Sequence, residues 1–351
     1  MEKRHRQDGF DYIRLIAALM VLVGHAFIIM GGESPIFLRV IGIHLFGVMI
    51  FFSISGYLIA DSWVRDQSVL RYLARRSLRL VPALIPVILL TTFLLGPALT
   101  TLSLREYLIN SKTYAYLGNI FLYLQLSLPE VFPNNPIPLR VNSSLWTLDI
   151  EFLMYLLLPA LSFLRGRKNA LIFIISTCLF AIANTFFEIG GPEKALGIDN
   201  AVLITNIANT TKVSMCFMAG AAVRYALGGK KIPLGLAAGV FILTIGLHYF
   251  TTANPYLLNI LLAFSLPCFI NALGDLPKVD LPSLNRIGDL SYGVYLYAFP
   301  IQQIIAQFLI GQVSVLTAIL LATFPTVFFA YASWHLIEKK ALALKPKTRS
   351  R

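Results

Sequence analysis

The chain has 351 residues, of which 57% are hydrophobic and 13% charged, with a mean hydropathy of +0.73. That profile excludes an ordinary soluble globular domain, and the apolar runs that recur along the whole length predict an all-α, polytopic membrane protein. The formal charge of +12 does not point to nucleic acid, because most Lys and Arg fall in short segments between apolar runs, where membrane orientation places them.

About ten spans are predicted, roughly over 10–30, 42–62, 80–99, 145–165, 169–188, 205–227, 232–250, 255–273, 288–310 and 313–335. The opening MEKRHRQDG and the apolar run after it do not read as a cleaved signal: the run is about 20 residues, it lacks a small-x-small cleavage site, and it holds Arg14. With both termini cytoplasmic, the inner segments carry 22 of the 29 Lys and Arg. The outer ones carry Arg39, Arg105, Lys112, Arg140 and Lys194, while Arg14 and Lys212 fall within spans. An eleventh span over SKTYAYLGNIFLYLQLSL would put the basic C-terminus outside, so 100–144 is expected to be an outer segment that lies on or re-enters the membrane. No internal repeat and no fused soluble domain is evident, so residues 1–351 read as a single transmembrane domain. Cys178, Cys216 and Cys268 show neither CxxC spacing nor a histidine at ligand spacing, so no disulfide framework and no metal site is expected.

Span one carries Arg14 and His25, eleven residues apart. Eleven helical steps bring the two side chains back to one face with a rise of about 16 Å. Asp11, three residues before Arg14, is placed to pair with it. A snorkelling Arg and a His bonded to a neighbouring helix would account for each alone. A cation and a neutral-pH base on one stripe inside hydrocarbon point instead to function.

In span two, Ser53, Ser55 and Gly56 are small enough to admit another helix or a thin ligand. Before span three, RYLARRSLRLVP sets Arg76 and Arg79 three apart, a spacing suited to phosphates and equally to plain positive-inside charge. Arg71 and Arg75 read as the topology charges, and Pro82 as the first turn of the span. In SLWTLDIEFLMYLLLP, Trp146 fits an outer aromatic belt, and Asp149 and Glu151 fall near a helix start, where the dipole tolerates acids. Glu151 is also expected at the depth of His25, where a carboxylate would orient the imidazole. Tyr292, Tyr295 and Tyr297, entering span nine, read as interface anchors, with stacking on a ligand ring the other reading. His44 is expected at the outer mouth of span two.

Taken in order, these pieces resemble one family. The pattern Asp11, Arg14, Ala17, Ala18, Val21, His25 is followed by FFSISGYLI, RRSLRLVP, SLWTLDIEFLMYLLLP, GDLSYGVYLY and, more weakly, HLIEKKAL. The sequence is similar to the acyltransferase-3 family of integral membrane acyltransferases from about residue 8 to 338.

The resemblance implies a multi-pass enzyme of the bacterial cytoplasmic (inner) membrane, surrounded by membrane lipids. It implies transfer of an acyl group, acetyl by default, from cytoplasmic acyl-CoA to a hydroxyl of an exported carbohydrate or lipid-linked sugar. Acyl-CoA enters as a substrate, and no permanently bound cofactor is expected. The family pattern maps the catalytic role onto His25 and Glu151 and the acyl-CoA site onto Arg14, Arg76 and Arg79. Asp11, Ser55, Gly56, Trp146 and Tyr292 support them. The alternative class is a multi-pass transporter or flippase of a polysaccharide precursor, for which intramembrane Arg and His also serve but which predicts two related halves.

Overall fold

In hydrocarbon every backbone polar group needs a partner within its own segment, and this chain meets that demand with helices. The computed structural model describes residues 2–37, 41–164, 166–250, 254–276 and 288–346. Among these are ten helices of sixteen residues or more: α1 (Glu2–Ile29), α2 (Ile43–Arg65), α3 (Val69–Leu90), α4 (Trp146–Leu161), α5 (Lys168–Glu188), α6 (Ala201–Leu227), α7 (Leu234–Phe250), α8 (Pro255–Gly274), α9 (Ser291–Leu309) and α10 (Val315–Ser333). Seven segments are long and apolar enough to cross a membrane, those containing α1–α5, α8 and α10. The apolar α7 is shorter, at 17 residues. The other two are more polar for a visible reason. Residues 211–223 of α6 and 291–300 of α9 are buried without a break, so protein rather than lipid surrounds them. At the periphery, α10 turns Leu320, Phe324 and Phe328 outward.

Helix α3 begins at Val69, not at Pro82, so Arg71, Arg75, Arg76 and Arg79 all project from its first turns. The start is fixed by Asp66, which accepts from Arg71 at 2.7 and 3.0 Å and from Arg75 at 2.8 Å. Pro82 and Pro86 both lie inside the helix, where each removes an N–H from the ladder. Thr91 and Thr92 bond back to the Val87 and Ile88 carbonyls at the start of a π turn, Thr91–Leu95, before the helix runs on to Leu99. Helix α10 likewise continues through a π turn, Trp334–Glu338, to Ala343.

Residues 100–142 form no long helix. They contain short helices at Leu104–Ile109 and Ser111–Ala115, a 3-10 turn at Tyr116–Phe121 and an irregular return. The return is strapped to α9. Asn135 Nδ2 donates to Gln303 at 2.9 Å, Gln303 Nε2 donates to the Arg140 carbonyl at 2.6 Å, and Asn142 Nδ2 donates to the Leu296 carbonyl at 2.9 Å. These buried amides fix where α4 starts. Of the charges used to orient the chain, Arg39, Arg165, Lys278, Arg286, Lys347, Arg349 and Arg351 lie outside the described residues.

The tightest crossing is α2 on α6. A Cβ at Gly56 would collide with the Phe217 carbonyl, and one at Gly220 with that of Ser53. The small residues at 53–56 are there for backbone contact, as helix packing in membranes favours.

Gly56→Leu should therefore lower the melting temperature of the detergent-purified protein, by about 1–3 kcal/mol of stability from overpacking. Gly246→Ala, at a position with open space, should leave it unchanged. Asp66 lies outside the spans, and its hydrogen bonds from Arg71 and Arg75 hold its carboxyl well below the usual carboxylate range. A lowered native value gives stability that is present above the unfolded value and lost only as pH falls through the native one. Asp66→Asn should thus lower the melting temperature at pH 7, with the difference from the unsubstituted chain persisting to pH 5.

Candidate active site

Helices α1 and α2 run antiparallel in close contact, because both carry glycine where they touch. A Cβ at Gly47 would stand 2.6 Å from the Ala17 carbonyl oxygen, and one at Gly24 would stand 2.7 Å from His44 Cβ. Farther along, the Phe10 and Tyr57 rings lie 6.2 Å apart. This registration sets His25 beside His44 at one end of the helix pair and brings Arg14 level with Ser53–Ser55 toward the other. The separation between the two levels is about 16 Å.

At the first level, the His25 ring packs 5.4 Å from the His44 ring and meets the edge of Phe299 at 5.2 Å. His25 therefore faces protein rather than lipid. Its Nδ1 is buried without a hydrogen-bond partner, and His44 Nδ1 lies 2.8 Å from Ser34 Oγ. His44 therefore sits at the mouth of α2, as expected, but as a direct neighbour of His25, which the sequence reading missed. Gln302 of α9 donates to the Leu22 carbonyl at 2.7 Å, one turn from His25. A narrow recess lies nearby, lined by Ala26, Ile29, Met30, Gln302, Ile305 and Ala318.

The second level is the basic end. Arg14 donates to Asp11 at 2.9 Å, as the i, i+3 spacing predicted. Arg79 pairs with Asp289, which also accepts from Ser291 Oγ at 2.6 Å, and its guanidinium lies 6.0 Å from the Tyr292 ring centre. Asp11, Glu338 and Asp289 all act electrostatically on Arg79. Lys345, past the end of α10, joins the group: burial and the charges of Arg79, Arg76 and Arg14 push its ammonium down to about 7. Four cations and three acids thus converge from α1, α3, α9 and the end of α10. Asp289 and Glu338 were inside recognised motifs, but their value as counter-charges was not read. The signal was their placement next to helix ends beside an arginine-rich stretch.

The arginines of α3 divide by partner. Arg71 and Arg75 are committed to Asp66, and Arg79 to Asp289. Arg76 has no ion-pair partner among the described residues, and its Nε is buried without a hydrogen bond. It lies in the field of the Tyr72 and Tyr155 hydroxyls.

Glu151 corrects an expectation. It does not contact His25; it accepts from Ser55 Oγ at 3.0 Å and from Tyr155, one turn along α4. Because Ser55 follows His44 by eleven residues on α2, Glu151 stands near the level of Arg14, about 16 Å from the imidazoles. The strapping of residues 135–142 to α9 sets α4 that far down the bundle. Asp149 stands two residues before Glu151 on α4, about 3 Å along the axis from it. With Asn119, Leu122, Leu124, Leu145 and Leu148 it lines a small recess. Trp146 is partly buried against the core. Tyr292, Tyr295 and Tyr297 are buried, at 9%, 6% and 7% exposure, and are not interface anchors. Tyr292 bonds the Leu80 carbonyl at 3.2 Å, and Tyr295 bonds that of Ser144 at 2.9 Å, because α9 is a central helix. Lys212, the other cation within a span, pairs with Glu188. No cluster of three or more metal-binding side chains occurs among the described residues.

The acyltransferase domain family matches residues 7–335. An O-acetyl transferase of Shigella phage Sf6 is 30% identical over 96% of this chain and 97% of its own. Nodulation protein 10 of Rhizobium leguminosarum bv. viciae is 27% identical over 97% of this chain and 94% of its own. No solved structure matches. With helices long and apolar enough to cross a membrane many times, and with the ordered motifs spread over two levels of one bundle, the chain belongs to the acyltransferase-3 family of membrane acyltransferases.

Proposed function

We propose that this protein moves an acyl group, acetyl by default, from cytoplasmic acyl-CoA to a hydroxyl of an exported carbohydrate or lipid-linked sugar. In this reading it spans the bacterial inner membrane ten times, with both termini and the basic end in the cytoplasm. The observation that carries the reading is the arrangement of α1: Arg14 in a converging group of cations at one level and His25 facing the bundle interior at the other, about 16 Å away. A CoA nucleotide is polyanionic, and guanidinium groups suit phosphate. Arg76, lacking an acid of its own, is the first ligand for it, and Arg79, Arg14 and Lys345 supply the surrounding field. The pantetheine arm is of the same order of length as the separation of the two levels. It would carry the thioester up to His25 along a path between the helices that opens on binding.

In the transfer step, His25 accepts the proton of the acceptor hydroxyl as its oxygen attacks the thioester carbonyl. The new C–O bond forms, the C–S bond breaks, and the proton passes from His25 to the departing CoA sulfur. Glu151 serves below this centre, holding Ser55 and Tyr155 in place near Arg76. The acetyl group is favoured by the name of the phage relative, an O-acetyl transferase. A carrier would instead be built from two related halves, and the sequence shows no such repeat.

Two outcomes test the reading. His25→Ala should abolish transfer of labelled acetyl from acetyl-CoA, with membrane insertion and melting temperature retained; full transfer by that variant would remove His25 from the chemistry. Arg76→Gln should raise the acetyl-CoA KM by about tenfold or more, the effect of losing a charge-assisted bond. Arg71→Gln, whose partner is Asp66, should leave that KM unchanged. Equal effects from both would argue against a phosphate site at Arg76.

A further inference from the structure

His44 lies outside the motifs that carry the family resemblance, and the transfer step above gives it nothing to do. Its surroundings are nonetheless built around it. Glycine stands at both places where a Cβ would collide with His44: one at Gly24 would be 2.7 Å from its Cβ and backbone nitrogen, and one at Gly42 would be 2.8 Å from Cε1 of its ring. The second residue of α2, it hangs from the α1–α2 connection through the 2.8 Å contact between its Nδ1 and Ser34 Oγ. Its ring is half-buried and lies 5.4 Å from that of His25. No protein hydrogen bond to its Nε2 is present among the described residues, so the ring is held at one nitrogen and open at the other.

The geometry points to His44 as the residue that binds the acceptor hydroxyl, an inference that rests on the acyl-transfer reading. With the Ser34 hydroxyl donating to Nδ1, the imidazole carries its proton on Nε2 and offers one N–H donor. The acceptor's hydroxyl oxygen receives that bond while its own hydrogen points to His25. As the oxygen attacks the thioester carbon, its proton moves to His25, the C–S bond breaks, and His25 passes the proton to the CoA sulfur. His44 keeps its proton throughout. Two imidazoles therefore divide the work, one fixing the oxygen and the other removing the hydrogen. The ligand class is an alcohol approaching from the α1–α2 connection, on the side opposite the arginines.

The test is a comparison of KM values on the full-length protein in detergent, with acetyl-CoA as donor and methyl glucoside as the acceptor probe. His44→Phe keeps the ring volume and removes the donor. It should raise the methyl glucoside KM by about tenfold, the loss of one buried hydrogen bond, with the acetyl-CoA KM and the melting temperature unchanged. His44→Gln restores an N–H donor and should recover part of the acceptor affinity. Ser34→Ala, which frees the tautomer, should raise the same KM by a smaller factor. An unchanged acceptor KM in His44→Phe, or an equal rise in both KM values, would overturn the inference. If His44→Phe melts early, His44→Gln and Ser34→Ala decide it in the same terms. Absence of any transfer by the unsubstituted protein would overturn the acyl-transfer reading itself, and this inference with it.

Discussion

The antiparallel contact of α1 with α2 is the constraint on which the site depends. Glycines at 24 and 47 let the two backbones meet. That contact, rather than any loop, determines what lies opposite what. It places an imidazole from each helix together at one end and brings Arg14 level with the small residues of α2 toward the other. A shift of one helical turn would move each side chain by about 5.4 Å, enough to separate the two histidines and to carry Arg14 away from the Arg79 group. Packing without side chains leaves little freedom for such a shift.

Charges inside a membrane protein are costly unless paired, and the pairs here also sort the arginines by use. Asp66 takes up Arg71 and Arg75, and this fixes the beginning of α3. Asp289 takes up Arg79, and this ties α3 to α9. What remains is Arg76, buried at Nε and without an acid among the described residues. In the proposed reaction, the anion that stabilises it arrives with the substrate. The same network explains why α9, too polar for an isolated span, is stable where it is: its tyrosines and glutamines bond to backbone carbonyls of neighbouring segments.

Much of this was legible in the sequence, for physical reasons that can be named. Seven long apolar helices among the described residues followed from apolar length, and the Asp11–Arg14 pair from helical spacing. The absence of a long helix over 100–142 followed from charge balance. What failed was anything that depended on a partner distant in sequence. Pro82 reads locally as a helix start, but Asp66 and its two arginines begin α3 a full thirteen residues earlier. Tyr292, Tyr295 and Tyr297 read as interface residues until α9 is seen to be enclosed. Glu151 was given the wrong depth because nothing local shows that residues 135–142 are strapped to α9, which sets α4 lower in the bundle. The approach of His44 to His25 is likewise a property of two helices together, although the glycine at position 24 is its trace in the sequence.

The central claim is that one acyl-CoA molecule reaches from the arginines of α3 to the imidazoles at the far end of α1. A structure of the protein bound to a non-hydrolysable acetyl-CoA analogue, in which the thioester is replaced by a thioether ketone, tests this most directly. The account predicts nucleotide phosphates against Arg76, with Arg79 and Arg14 nearby, and the carbonyl analogue within contact of His25. An analogue bound with its phosphates elsewhere, or with its acyl end remote from His25, would contradict it.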